Sequence, residues 1–269
     1  MNADSLTAPV QRQIGILGGM SDQSTLEYYR IINHQINQRL GGWHTGEIAI
    51  ASADFGIIEH CVRNALWTEV IDYLRPKVRS LVDAKCDVLI CASNTMHQAA
   101  LPLFDEVQLP YIHISDPTGT AIKQANLNSV AVLGTMQTME PSVISERYAD
   151  AHNIKVVFPD EVDRNTIDRI IFDELVKGKF YPDSKARFLN IIDCLFDSGV
   201  ESVALSCTEL CLLANQSDRP QYPMFDTTRL HAEAAVGFAL SDEPAANKPC
   251  LMPLGYPRQT LPGPSVHPR

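Results

Sequence analysis

Two short segments carry side chains that can move a proton: Ser93-Asn94-Thr95-Met96-His97 follows the apolar run 88–91, and Cys207-Thr208-Glu209 follows residues 202–205. A thiol at a helix N-terminus is drawn toward thiolate, because the helix dipole lowers its pKa from about 8.5. A serine hydroxyl is a much weaker acid and needs a neighbour's help to act as a base. Three small hydrogen-bonding side chains directly after an apolar strand either meet a ligand or cap a helix, and for Ser93 or Asn94 N-capping is the alternative to catalysis. For Cys207 the alternative is an inert buried thiol, a description that suits Cys61, Cys86, Cys91 and Cys194 better because they fall inside helices or strands. His97 and His231 each follow a turn, where they orient a catalytic group, bind a substrate carboxylate or simply pack. Asp54, Asp116 and Asp226 all follow strands and are expected as helix caps.

The elements that must position these groups occur twice. Residues 81–95 lie without a gap over 195–209, which sets Ser93 opposite Cys207. Ile16-Leu17-Gly18 likewise matches Val132-Leu133-Gly134, and Asp116 matches Asp226, at offsets of 116 and 110 residues against 114 for the first pair. Nearly constant offsets predict two similar α/β lobes related by a pseudo-twofold, with Ser93 and Cys207 on opposite sides of one cleft. Strands are expected at 13–17, 47–54, 87–91, 110–114, 129–133, 155–158, 202–205 and 222–225, with helices between most of them, the first capped by Ser21 or Ser24. Alternation of this kind means mainly parallel sheets, and apolar runs without polar alternation mean central strands covered on both faces, so each lobe is doubly wound. Ligands of such sheets bind beyond the carboxyl ends of the strands, where residues 18–20, 93–95, 134–138 and 207–209 converge. The expected boundaries are 1–115 for the first lobe, completed by a helix over 227–240, and 116–226 for the second. Residues 241–269 hold seven prolines and are expected to form no packed element.

With 269 residues, 45% of them apolar, the chain can bury a sizeable core. Its net charge of −10 repels polyanions, which argues against a nucleic-acid partner. No apolar run approaches a membrane span, and the first residues lack the basic start and apolar stretch of a leader. Seven cysteines, several in apolar strands, fit a reducing cytoplasm. Cys207-x-x-x-Cys211 has no second close pair of ligands, so no metal is expected. Gly15-Ile16-Leu17-Gly18-Gly19-Met20 does not complete a dinucleotide fingerprint and reads instead as a tight turn bringing backbone N–H groups to a small carboxylate.

Taken together, Gly15 to Ser21 with Ser24-Thr25 and Tyr28-Tyr29, Ser93-Asn94-Thr95-Met96-His97, Leu133-Gly134-Thr135 with Thr138-Met139, and Cys207-Thr208-Glu209 resemble the aspartate/glutamate racemase family over about residues 13–240. The resemblance implies a cofactor-independent amino-acid racemase, frequently dimeric, whose cleft supports a two-base mechanism: one residue removes the α-proton from one face and its partner donates to the other. By position, Cys207 matches the family's second catalytic cysteine, and Ser93 occupies the first position, usually Cys and in one subgroup Thr. Asn94, Thr95 and Thr208 match residues that hold the substrate's α-carboxylate and amino group. Met20 and Glu209 lie nearby, and Thr135 and Thr138 join the substrate-binding set. An acidic substrate needs a cation for its side chain, for which Arg63 and Lys177 are the candidates. Ser93 in place of a thiol makes the two faces unequal, and since the resemblance implies that the second cysteine handles the L-enantiomer, an L-substrate preference is expected, with Cys207 abstracting and Ser93 donating through water or His97. Two other outcomes stay open: a single-thiol lyase or isomerase on the same fold, and a binding protein without chemistry.

Overall fold

The computed structural model describes residues 10–241, so the proline-rich tail, but for Ser241, lies outside the described residues. The first lobe opens with β1 (Ile14–Gly18), α1 (Asp22–Leu40), β2 (Ile48–Ser52), α2 (Phe55–Arg63), α3 (Trp67–Asp83), β3 (Val88–Cys91) and α4 (His97–Val107), after which α5 (Ser115–Gln124) packs its Ile122 against the second sheet. The second runs through β4 (Ser129–Leu133), α6 (Val143–His152), β5 (Lys155–Val157), α7 (Glu161–Arg169), α8 (Pro182–Asp197), β6 (Val203–Leu205), α9 (Thr208–Leu213), β7 (Met224–Asp226) and α10 (Thr227–Ala239). All strand pairs are parallel, in the orders β2-β1-β3 and β5-β4-β6-β7. The orders correspond over three strands, with β2, β1 and β3 of one sheet matching β5, β4 and β6 of the other, while β7 has only the isolated Leu89–Tyr111 bridge as its counterpart.

Central strands are made by residues that can afford no water on either side. Every residue of β1 and β3 is buried, and their aliphatic side chains pack into two layers. One layer joins Leu17, Leu89 and Cys91 to α3 and α4, and the other joins Ile14, Ile16, Val88 and Ile90 to α1 and α10. Helix α10 therefore returns from the end of the second lobe to cover the first sheet. Ser21 caps α1, accepting from the Ser24 N–H, and Gly41 ends the helix at φ 73°.

Two expectations need correction. Residues 110–114 do not form a strand; Tyr111 makes an isolated bridge to Leu89, through Leu89 N–H to Pro110 O and Ile112 N–H to Leu89 O. Pro110 has no N–H to continue a ladder, and the backbone turns at Ile114 into α5. Asp116 is consequently no cap. It lies inside the first turn of α5, bound by both Arg147 Nε and Nη2 (2.6 and 2.7 Å) and by His152 Nε2 (3.0 Å). Burial by itself would raise that carboxyl, but the hydrogen bonds from His152 and Arg147 outweigh it and hold it at about 2. Asp54 and Asp226 do cap, accepting from the Gly56 and Arg229 N–H groups.

After α7 the chain widens into a π-helical turn, Ile170–Glu174, and then tightens into a 3-10 turn, Leu175–Lys177, that Gly178 closes at φ 68°. Such wide turns re-aim side chains and often border functional sites. Here the turn puts Ile171 and Phe172 on one wall of the cleft. No helix among the described residues is long and apolar enough to cross a membrane.

Candidate active site

The strand ends meet where the sheets face one another. Met20, Ser93, Asn94, Thr95, Thr135, Cys207, Thr208 and Glu209 all line one cavity of about 110 Å³. That is well below the roughly 300–1,000 Å³ of pockets for drug-sized ligands, so it suits a molecule of few heavy atoms.

The glycine turn builds the first edge. Gly19 sits at φ 81°, and a Cβ there would lie 2.2 Å from the Ala53 carbonyl oxygen and 2.4 Å from its nitrogen. Only glycine lets this loop press against the end of β2. Its N–H, expected for a ligand carboxylate, instead donates to Thr25 Oγ1 at 2.7 Å. The turn's function is thus to deliver Ser21 and Ser24. Ser24 Oγ donates to Ala92 O (2.7 Å) and receives from Thr208 Oγ1 (2.8 Å), while Ser21 Oγ donates to Glu209 Oε1 (2.7 Å). The bonds to Thr208 and Glu209 join one lobe to the other.

Cys207 is the residue before α9 and is half-buried. Its thiol donates to Glu209 Oε2 at 3.1 Å. The expected dipole effect does not prevail: burial first, and then the Glu209 charge, push this thiol well above the usual cysteine range, against N–H groups of Glu209 and Leu210 that favour thiolate. Six residues of helix cannot offset a carboxylate in direct contact. Of the cysteines expected to be inert, Cys61, Cys86 and Cys91 are buried, and burial drives Cys91 up to about 12; Cys194 is exposed on α8.

Ser93 lines the cavity from the other sheet. It is not the cap of α4, which starts four residues later, though its Oγ accepts from the Met96 N–H at 3.4 Å. Asn94 donates from Nδ2 to Thr227 Oγ1 (3.1 Å), which in turn donates to Leu205 O (3.0 Å). Its Oδ1 is buried with no partner among the described residues. Thr95, Thr135 and Thr138 form a closed hydroxyl triangle with edges of 2.9, 2.9 and 3.1 Å, again from one lobe to the other. Thr138 supports that triangle from below, being 1% exposed.

The second-rank candidates divide. His97 is fully buried, with Nδ1 against Ser93 O (2.7 Å) and Nε2 accepting from the Ile114 N–H (3.2 Å). It orients the Ser93 turn but turns no free nitrogen to the cleft. His231 packs behind it, bonded to Tyr28 Oη and Ile112 O, each at 2.8 Å. Arg63 lines the cleft; Lys177 does not, and pairs with Asp173 at 3.7 Å. Sequence reasoning missed Thr227, Thr228 and Asp168. Two threonines directly after the strand-end Asp226 were a readable signal of the same kind as Ser93-Asn94-Thr95, whereas Asp168, in the last turn of α7, gave none.

These features agree with known proteins. A family model described as Asp/Glu/Hydantoin racemase matches residues 17–235. A candidate Asp/Glu racemase from Yersinia pestis shares 37% identity, covering 86% of this chain and all of that one, with a TM-score of 0.80. An aspartate racemase homologue from Pyrococcus horikoshii OT3 shares 27%, with the same coverage and a TM-score of 0.74. Glutamate racemase from Francisella tularensis, solved with D-glutamate, shares the fold at 15% identity and TM-score 0.61, covering 87% of this chain and 85% of its own.

Proposed function

The chain belongs to the Asp/Glu/hydantoin racemase family, and from that premise we propose that it inverts the α-carbon of a small amino acid without a cofactor, using Cys207 and Ser93 as opposed acid and base. The observation that carries this reading is a thiol bonded to a buried carboxylate on one lobe, with a serine hydroxyl lining the same cavity from the other. Glu209 takes the thiol proton, and the Cys207 thiolate removes the α-proton from one face. The electron pair moves into the α-carboxylate as an enolate-like dianion. It returns to Cα as the Ser93 hydroxyl delivers its proton to the opposite face; Ser93 then regains a proton from solvent, and Glu209 releases to solvent the one it took from the thiol, which restores the resting pair.

Without an electron sink, the protein must stabilise that dianion. The hydroxyls of the threonine triangle and of Thr208 donate to one another and to Ser24, and turning them to the substrate supplies donors where charge develops, each contributing at most the roughly 3–4 kcal/mol of a fully preorganised donor. Asn94 Oδ1, buried without a partner, suits the substrate ammonium. Aspartate and glutamate, the substrates expected from the resemblance, additionally need a cation for the side chain, and the cleft offers Arg63. A homodimer belongs to the same proposal and is read by sedimentation.

The test follows deuterium at Cα. In D2O the protein should place deuterium in an L-substrate and yield the opposite enantiomer. Ser93→Ala should retain exchange on the L side and lose inversion, and Ser93→Cys should raise turnover of the D-enantiomer. Inversion by Ser93→Ala at the wild-type rate refutes the two-base assignment, and comparable wild-type turnover from both enantiomers refutes the L-preference.

A further inference from the structure

The side-chain end of the cleft is not built for an acid. With the amino acid's ammonium and α-carboxylate held at the strand ends, its side chain must extend toward the gap between α2 and the π-helical turn. Phe55, Ile58 and Val62 line that gap from α2, and Ile171, Phe172 and Val176 line it from the turn and its continuation. The ionisable side chains around the whole cavity, apart from the thiol and the Tyr28 phenol, are Glu59, Asp168 and Glu209 against Arg63. Three carboxylates face one guanidinium.

That guanidinium is also engaged. Arg63 Nε is bonded to Glu59 in the preceding turn of α2, and its Cζ lies over the Phe172 ring, 5.2 Å from the centroid. Asp168, held by the Met136 N–H at 2.7 Å, adds its field to the same cation. An incoming side-chain carboxylate would have to share Arg63 with Glu59 and lose water beside Asp168 and an apolar wall, and both changes disfavour it. A methylene or thioether stem meets the wall at no such cost, and a terminal donor meets two acceptors.

We infer that the preferred substrate is an amino acid with an apolar-stemmed, non-acidic side chain, and that aspartate and glutamate are the poorer substrates of the same site; this rests on the racemase reading above. The experiment gives the full chain L-methionine, L-leucine, L-homoserine, L-lysine, L-aspartate and L-glutamate, and measures kcat/KM for exchange at Cα in D2O together with the shift in Tm. The best non-acidic substrate should exceed both acids by about tenfold or more. Asp168→Asn, and independently the more exposed Glu59→Gln, should narrow that gap by raising the acids selectively, whereas a merely structural role would lower all six alike. Faster exchange of aspartate or glutamate overturns the inference and leaves the racemase intact. Stabilisation by the non-acidic ligands with no exchange upholds the pocket's preference for non-acidic side chains and overturns the racemase, and with it their standing as substrates. Neither stabilisation nor exchange overturns both.

Discussion

Burial and then Glu209 set how Cys207 titrates, and the effect of Glu209 can be separated from catalysis. Its carboxylate accepts the thiol proton and, with burial, disfavours the thiolate, so Cys207 should react with iodoacetamide slowly at neutral pH and faster as pH rises. Replacing Glu209 with Gln removes a negative charge in direct contact, which lowers the thiol pKa and moves the alkylation profile to lower pH. A profile that stays in place would show that burial alone holds the thiol protonated. At this scale the sequence was legible where chemistry follows chain order. The strand-end placements of Ser93, Asn94, Thr95, Cys207 and Thr208 were readable from apolar runs and a repeat. What could not be read was the field around each group: the dipole argument for Cys207 omitted a glutamate two residues on, whose contact depends on how α9 starts. His97 looked like a cleft residue because it follows Ser93, yet one helical turn carries its ring into the core.

Among elements, the β1 to α1 loop has the least tolerance. A Cβ at Gly19 meets the backbone of Ala53 while the residue itself stands at φ 81°. Gly19→Ala should therefore cost at least about 2 kcal/mol, from left-handed backbone strain of about 1–2 kcal/mol plus the displacement of β2. Urea unfolding monitored by circular dichroism checks this, and an unchanged midpoint would mean that the loop moves freely. Most strands were legible because continuous apolar runs such as 88–91 and 129–133 admit one environment, the middle of a parallel sheet. Residues 110–114 resembled them in composition but not in hydrogen-bonding capacity, since Pro110 lacks a donor. The π-helical turn after α7 had no signature at all, because its extra residue per turn is fixed by packing of Ile170 and Ile171 rather than by any breaker.

The whole molecule carries three histidines in its interior, and together they set its response to acid. His97 and His113 lie with ring centroids 4.9 Å apart, and His97 and His231 5.9 Å apart, all fully or almost fully buried. Burial holds His97 at about 4 and His231 at about 3, and it lowers His113 well below the ordinary imidazole range, with Asp116 pulling the other way. In the unfolded chain the same rings take up protons near pH 6.5. Between pH 6.5 and about 4 the unfolded state thus binds more protons than the folded one, so stability falls as pH falls. Asp116 acts in the next window down: its carboxyl is depressed to about 2, so what it contributes is complete above about pH 4 and is lost as pH falls toward 2. Thermal melts should accordingly show a midpoint that is flat above pH 7 and drops steadily from pH 6.5 downward. His113→Asn isolates one of the three. His113 Nδ1 accepts from the Ser115 N–H at 3.1 Å, a bond that an asparagine carbonyl can reproduce two residues before its donor, and His113 Nε2 has no partner among the described residues to lose. The variant should keep its stability at pH 7.5 and lose less of it between pH 6.5 and 4. An unchanged slope would assign the acid response to groups other than this buried cluster.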